Sequence, residues 1–407
     1  MTSEAGSQTR LFIDRLGHRG DGIAVGPVFV PYVLPGETVD AEVEGDRGRL
    51  IAVVMPSPHR HDPFCPHFTQ CGGCATQHLD DETYRAWKRG LVVDALAQAR
   101  VDAEVAPIVD AHGEGRRRAT FHARNGAFGF ARARSHALID LDACPLLTPG
   151  LNGALSACRA IAATLRGRGK PLDCLVTETL TGIDMDWRGA GPLEEGLRLR
   201  LADLARRHDV ARLSNHGDVI LERRAPAVRF GTVEVTPPPG AFLQATRAAD
   251  GLLAGLVMEA VGGAKRLLDL FSGCGTFTFA LADRMTVHAV DSDKPAIAAL
   301  DKAARRAQGL KSVTAQARDL FIRPYLADEL KPFDAVVFDP PRAGAEAQAR
   351  RLAASTVKRI IAVSCNPATF ARDAALLIAG GYRIGRVTPV DQFRHAAHVE
   401  LVASFTR

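Results

Sequence analysis

Between residues 266 and 363, five short apolar runs (266–270, 286–290, 311–315, 334–338 and 358–363) alternate with stretches of helical period. Parallel strands cannot be joined by a tight turn; they need a crossover of a dozen or more residues, and a helix is the compact way to supply it. The alternation therefore predicts an α/β fold with a parallel, doubly wound sheet in the C-terminal part of the chain. In such sheets, ligands bind beyond the carboxyl ends of the strands, so the residues that follow each run are the first place to look for chemistry.

The preceding chain reads differently. From 11 to 54, short β-rich runs such as 28–30 and 50–54 are punctuated by Gly17, Gly20, Gly22, Gly26, Pro35 and Gly36, which predicts a small β-barrel. Residues 55–63 carry three prolines and read as a linker. Residues 80–99 predict one helix: Asp80 and Asp81 stand at its start, and Tyr84, Trp87, Leu91, Val92, Ala95 and Leu96 repeat at helical spacing. Residues 100–235 mix strand and helix signals without a period that fixes a topology. They include an arginine-dense stretch, Arg116, Arg117, Arg118, Arg124, Arg132 and Arg134. The expected division is a barrel over 1–56, a mixed α+β central domain over 57–235 whose helix 80–99 packs on the domain that follows, and the doubly wound domain over 236–407. The amino terminus is polar and no eighteen apolar residues run together, so a cytoplasmic protein with no membrane partner is expected.

Asp269-Leu-Phe-Ser-Gly-Cys-Gly275 follows the first run and leads into a helical stretch. Two glycines let the backbone turn tightly and approach a ligand at a helix start. A dinucleotide fingerprint would place a third glycine where Thr278 stands, which argues against a pyrophosphate pressed onto the helix. Asp291 closes the next run, where a carboxylate can accept hydrogen bonds from ribose hydroxyls. Together Gly273, Gly275 and Asp291 point to S-adenosylmethionine.

Ser364-Cys365-Asn366-Pro367 ends the fifth run and Asp339-Pro-Pro-Arg342 ends the fourth, so Cys365 and Asp339 are expected at one rim. A thiolate there is a nucleophile, and Glu400, in His398-Val-Glu400 at the start of a last strand, is a candidate general base. Eight cysteines with no export signal favour metal binding or catalysis over disulfides. Cys65, Cys71, Cys74 and Cys144 offer four thiolates, the number a cubane iron-sulfur cluster takes. The same four would also suit a tetrahedral zinc, with His59, His61, His67 or His78 as alternates.

In Phe242-Leu-Gln244, Asp269-Leu-Phe-Ser-Gly-Cys-Gly275, Asp339-Pro-Pro-Arg342, Ser364-Cys-Asn-Pro367 and His398-Val-Glu400, in this order, the chain resembles the class I RNA uracil-C5 methyltransferases that make 5-methyluridine in 23S rRNA and tRNA. The resemblance implies a Rossmann-like S-adenosylmethionine domain, Cys365 as nucleophile and Glu400 as base. It also implies Gln244, Phe271, Thr276, Asp291, Asp319 and Asp339 around cofactor or target base. Thr276 stands where the family usually has asparagine, and Arg394 and Ala396 where it has proline and threonine. Cys-x5-Cys-Gly-Gly-Cys with a distant Cys-Pro is the pattern of the family's iron-sulfur members and implies a [4Fe-4S] cluster, with Cys158, Cys174 and Cys274 left to the core. The N-terminal segment, with Leu34-Pro-Gly-Glu37, resembles the TRAM barrel of RNA-modifying enzymes, with Arg15, His18, Arg19, Arg47 and Arg49 facing phosphate.

The chemistry suits these residue types. Uracil C5 is a poor nucleophile until a thiolate adds to C6, and a carboxylate must later take the C5 proton. Arg342 stands where exocyclic-amine methylases usually carry a stacking aromatic, and the Asp-Pro-Pro-Arg loop has no second cysteine of the kind cytosine-C5 enzymes use. The expected activity is thus 5-methyluridine formation in RNA, most of all 23S rRNA. The alternatives are tRNA, or an iron-sulfur RNA-binding protein without methylation activity. The net charge of +5 permits an anionic partner, and nothing implies an obligate protein partner.

Overall fold

The computed structural model describes residues 7–167 and 170–407; the first six residues of the polar amino terminus lie outside it. Five strands, Ser7–Leu16, Gly22–Ala24, Val28–Val30, Arg47–Met55 and Thr38–Glu44 in spatial order, close a barrel. Alternate residues point inward, and Ile13, Ala24, Val30, Val33, Val39 and Ala41 fill it. Closure removes the exposed edges that so small a sheet would otherwise carry.

The central region, for which the sequence suggested no topology, is a seven-stranded sheet. Its order is Asp218–Glu222, Arg212–Asn215, Gly182–Arg188, Leu172–Thr179, Arg118–Arg124, Ala127–Ala131, Leu138–Asp140. Helices Leu155–Leu165 and Glu195–Arg207 contribute to one core with it, around Phe121, Phe128, Ile161, Leu201 and Trp187. Cys158 and Cys174 are buried in that core, as expected.

The large sheet runs Val313–Ala317, Thr286–Asp291, Arg266–Leu270, Ala335–Phe338, Arg359–Ser364, Glu400–Thr406, Thr388–Asp391, Val109–Asp110. The first five strands are parallel, and Ala335–Phe338 is buried at every residue, as a strand covered on both faces must be. The expected parallel sheet needs one correction: Glu400–Thr406 is antiparallel to both of its long neighbours. The strand expected at 311–315 runs Val313–Ala317; the Lys311 amide instead donates to Ala282 O in the connecting loop.

Chain from before residue 236 also enters this unit. Val109–Asp110 pairs in parallel with Thr388–Asp391, and the helix Asp81–Gln98 packs on the helix Pro367–Ala379. Asp80 caps that first helix by accepting from Thr83 N (2.8 Å), and Trp87 Nε1 donates to Gly17 O (3.1 Å), which ties the barrel to it. No helix among the described residues is long and apolar enough to cross a membrane.

Candidate active site

Strand order converts the scattered motifs into a row. Asp319 follows the strand Val313–Ala317, Asp291 ends the next, Phe271 follows the third, Asp339 the fourth and Cys365 the fifth. Glu400 begins the antiparallel strand, so its entry point lies at the same rim; Leu401 is in register with Ser364. Strands lie about 4.8 Å apart, so Asp291 and Cys365 are separated by about three spacings, roughly 14 Å. That leaves room for a nucleoside at one end and a reacting base at the other.

At the Asp291 end, the backbone of Phe271 (φ 61°), Gly273 (φ 53°) and Gly275 (φ 100°) is left-handed. A Cβ on Gly275 would lie 2.8 Å from the Phe279 ring, so only glycine fits. Asp291 Oδ2 accepts from Gly273 N (2.9 Å) and Oδ1 from Asp293 N (2.8 Å). Asp293, not Asp291, caps the helix Lys294–Arg306 through Ala296 N (3.1 Å), which leaves Asp291 to the loop. The Phe271 and Phe321 rings stand 5.7 Å apart, and Asp319 Oδ1 accepts from Phe321 N (2.9 Å) and Ile322 N (3.2 Å). Asp269 is fully buried beneath the loop, accepts from Thr278 Oγ1 (2.6 Å), and is pushed up to about 7 by burial and, less, by Asp291. Thr276 opens the helix Thr276–Leu281 and lines a separate cavity of about 380 Å³ with Arg117, Arg247 and Asp250. Cys274 is buried, as expected.

At the other end, Cys365 is half-buried and Glu400 only 4% exposed. Gln392 Nε2 donates to Glu400 Oε1 (3.1 Å) and to Gln244 Oε1 (2.6 Å), and its Oε1 accepts from Ala245 N (2.8 Å). Gln244 Nε2 in turn donates to Asp339 Oδ2 (3.4 Å), so one buried chain of amides joins the two carboxyls. Asn366 Oδ1 caps the helix behind Cys365 through Ala368 N (3.1 Å), while its Nδ2 donates to Arg342 O (2.9 Å) and fixes the two loops together. Arg342 Nη2 donates to His398 Nδ1 (3.3 Å). Gln392 carries no motif signal, and the sequence reading missed it.

Burial dominates the electrostatics here. It raises Glu400 to about 7, opposed by Gln392, Lys88 and Arg342. It raises Asp339 well above the usual carboxylate range, helped by Glu400 and Asp269. The Cys365 thiol is raised to about 12 by burial and then by Glu400 and Asp339, with Arg342 pulling down. Two carboxyls and a thiol that each resist ionisation make a site that favours a cation, and a cation bound there would lower all of these values.

Cys65, Cys71, Cys74 and Cys144 are free thiols that line one cavity of about 350 Å³ with His67 and Arg116. Burial raises Cys71 and Cys144, and Cys74 to about 12, while Arg116 opposes each. Among the described residues, no three His, Cys, Asp or Glu are grouped closely enough to hold a single metal ion. Of the alternate ligands, His59 pairs with Asp80 (2.6 Å), His61 Nε2 meets Gln77 O (3.1 Å), and burial pushes His78 down to about 4.

Two of the clustered arginines are structural rather than phosphate-facing. Arg117 is buried in an ion pair with Asp250 (2.6 Å), whose carboxyl burial raises to about 6. Arg118 is turned inward, toward Leu243 O and Gly240 O (both 3.4 Å), and lies over the Phe242 ring. On the barrel, Arg47 faces Asp21 (3.7 Å) and Arg49 pairs with Glu42, both at exposed positions where phosphate can compete.

The family model described as tRNA (Uracil-5-)-methyltransferase matches residues 237–406. An uncharacterized RNA methyltransferase of Brucella suis is 47% identical, over 100% of this chain and 99% of that protein. The 23S rRNA (uracil(1939)-C(5))-methyltransferase RlmD of Chromohalobacter salexigens is 34% identical over 99% of this chain and 92% of its own. Among solved structures, the tRNA (uracil-54, C5)-methyltransferase of Pyrococcus abyssi, in complex with S-adenosyl-L-homocysteine, superimposes with a TM-score of 0.77 at 26% identity, covering 98% and 99% of the two chains. The chain belongs to the RNA uracil-C5 methyltransferase family and is an RNA (uracil-C5)-methyltransferase. That membership sets aside the alternative of an RNA-binding protein without methylation activity.

Proposed function

We propose, with family membership as the premise, that this enzyme uses S-adenosylmethionine to make 5-methyluridine in 23S rRNA, with Cys365 as nucleophile and Glu400 as base. The observation that carries the reading is the register that pairs Ser364 with Leu401 and thereby sets Glu400 beside Cys365 at the rim. The 23S target is favoured by similarity to RlmD along nearly its whole length; the likeness to the Pyrococcus tRNA enzyme supports tRNA as the second reading.

In this reading, Asp291 accepts from the ribose hydroxyls, Phe271 with Phe321 flanks the adenine, Asp319 faces its edge, and the Gly273–Gly275 turn lets the backbone approach; Thr276 stands at the helix start beside them. The cofactor supplies a methyl group on a cationic sulfur. Gln244 and Asp339 hold the polar edge of an extruded uracil, whose flipping cost is least in single-stranded loops. Cys365 releases its thiol proton to solvent and its sulfur bonds to C6, which moves electron density to C5 and O4. C5 then bonds to the methyl carbon as the carbon–sulfur bond of the donor breaks, its electron pair neutralising the sulfonium charge. Glu400 removes the C5 proton, the electron pair left behind restores the C5–C6 double bond, and the sulfur–C6 bond breaks to free the thiolate.

The barrel is read as a TRAM-type RNA-binding module, and the four thiols as ligands of a [4Fe-4S] cluster. The four thiols line one cavity, and four is the number of thiolates a cubane takes. The cytoplasm is the expected compartment, since reduced thiols persist there.

The deciding experiment maps 5-methyluridine in total RNA of a deletion strain. Loss at one or two 23S positions is expected, and loss confined to tRNA would overturn the rRNA assignment. Cys365→Ala should abolish turnover and covalent adducts with 5-fluorouridine RNA while RNA affinity persists; wild-type activity would refute the nucleophile. Anaerobically purified protein should be coloured and contain about four iron atoms, whereas a colourless protein with stoichiometric zinc would refute the cluster.

A further inference from the structure

Lys88 lies mid-way along the helix Asp81–Gln98, and its side chain is wholly excluded from solvent. Its ammonium donates to Asp391 Oδ1 (2.8 Å), Phe393 O (3.2 Å) and His398 O (2.5 Å). An ammonium has three donors, and all three are used by one segment of the molecule. That segment, 391–398, leaves the strand Thr388–Asp391 and returns as Glu400–Thr406, so Lys88 ties its two ends together.

Further contacts from the central region grip the same segment. Tyr84, one turn before Lys88, donates to Asp391 Oδ2 (2.5 Å) and accepts from His395 N (2.9 Å). Ala75 N donates to His395 O (2.7 Å), and Arg394, where the family usually has proline, reaches Asp81 (3.8 Å). Gln392, which holds Glu400 and Gln244, sits inside the gripped segment, and Glu400 follows it by two residues.

We propose that Lys88, supported by Tyr84, is a positioning residue for the proton-abstraction step: it fixes the 391–398 segment so that Glu400 and Gln392 face the C5 proton of the bound uracil. The proposal rests on the reading of Glu400 as base. Buried and fully hydrogen-bonded, the ammonium is a rigid tie; without it a buried carboxylate and two carbonyls lose a donor, and the segment must rearrange to recover one. Lys88 also acts through its charge. Lys88 and Arg342 both favour the Glu400 carboxylate, while Glu400 in turn raises Asp339 and Cys365, and Arg116 acts against the charge of Lys88.

The test compares Lys88→Met, Lys88→Met with Asp391→Asn, Tyr84→Phe and Glu400→Gln in the full-length enzyme. The double variant leaves no lone buried charge, and Tyr84→Phe leaves the ion pair in place. For both Lys88 variants, RNA KM is expected to stay within about twofold of wild type while kcat falls by about tenfold to a hundredfold. A covalent protein–RNA complex already methylated at C5 should accumulate, because elimination waits for the C5 proton. In Lys88→Met the acid limb of kcat should move to higher pH, since loss of a neighbouring cation makes Glu400 hold its proton longer, whereas the double variant, which removes cation and anion together, should move it less; a merely structural role would move it in neither. Tyr84→Phe should show the same pattern more weakly.

A folded Lys88 variant with wild-type kcat, no accumulating complex and an unmoved acid limb overturns the proposal. If neither Lys88 variant folds, an unchanged Tyr84→Phe profile overturns it. Glu400→Gln separates the two readings: if it accumulates the complex while the Lys88 variants behave as wild type, only this inference fails, and if it turns over normally, the base assignment fails.

Discussion

Replacing Glu400 by glutamine should stabilise the protein while it disables the reaction. Burial raises the Glu400 carboxyl from 4.5 to about 7. A carboxyl whose folded pKa lies above its unfolded value opposes folding whenever it is ionised. Each pKa unit is worth about 1.4 kcal/mol, so the penalty at pH 8 is about 3 kcal/mol. The sign follows from proton binding: below pH 4.5 both states hold the proton and the penalty vanishes, between 4.5 and 7 it grows, and above 7 it is complete. Glutamine is a neutral isostere whose carbonyl can still accept from Gln392 Nε2. Urea unfolding of Glu400→Gln and wild type should therefore coincide near pH 4.5, and the variant should be more stable by about 2–3 kcal/mol at pH 8. That would be a clear case of activity maintained against stability. A stability difference that stays constant from pH 4.5 to 8, or that favours wild type at pH 8, refutes the account of Glu400 as a carboxyl held in unfavourable surroundings.

Other substitutions test the supporting structure. Gly275→Ala puts a methyl group 2.8 Å from the Phe279 ring at φ 100°, and should cost about 1–3 kcal/mol; cofactor affinity by calorimetry should fall with it, and a neutral result would show the turn to be pliable. Arg117→Met strands the Asp250 carboxyl in the interior and should destabilise by about 3 kcal/mol at pH 8 but less near pH 5, where Asp250, raised to about 6, takes up a proton; thermal melts at the two pH values decide. Arg47→Ala with Arg49→Ala should lower RNA affinity without changing kcat, and should flatten the dependence of log affinity on log salt by about one to two; an unchanged slope would remove the barrel arginines from the RNA interface.

What could be read along the chain was local. The strand–loop–helix order and the placement of Gly273, Asp291, Asp339 and Cys365 at strand ends follow from short-range periodicity and backbone freedom, which any ten-residue window carries. The helix start at Asp80 is of the same kind; the burial of Cys158, Cys174 and Cys274 followed instead from the resemblance, whose cysteine pattern left them to the core. Arg117 and Arg118 show the limit of that approach: local pattern assigns neither a partner, yet one is neutralised by Asp250, 133 positions further on, and the other is turned inward.

Tertiary structure alone decided the rest, because pairings between distant segments leave no periodic trace. The antiparallel insertion of Glu400–Thr406 between two strands brings the Glu400 carboxyl to a thiol 35 positions earlier. Lys88 lies on the apolar face of its helix, four residues after Tyr84 and four before Val92, and only its partners 303 to 310 residues away explain a lysine there. The role of Gln392 and the seven-stranded central sheet likewise exist only once the chain is closed on itself, and so does the shared cavity of Cys144 with Cys65, Cys71 and Cys74, a grouping the family resemblance had implied. The sequence specified which atoms could do chemistry; long-range strand register and buried polar contacts specified which of them meet.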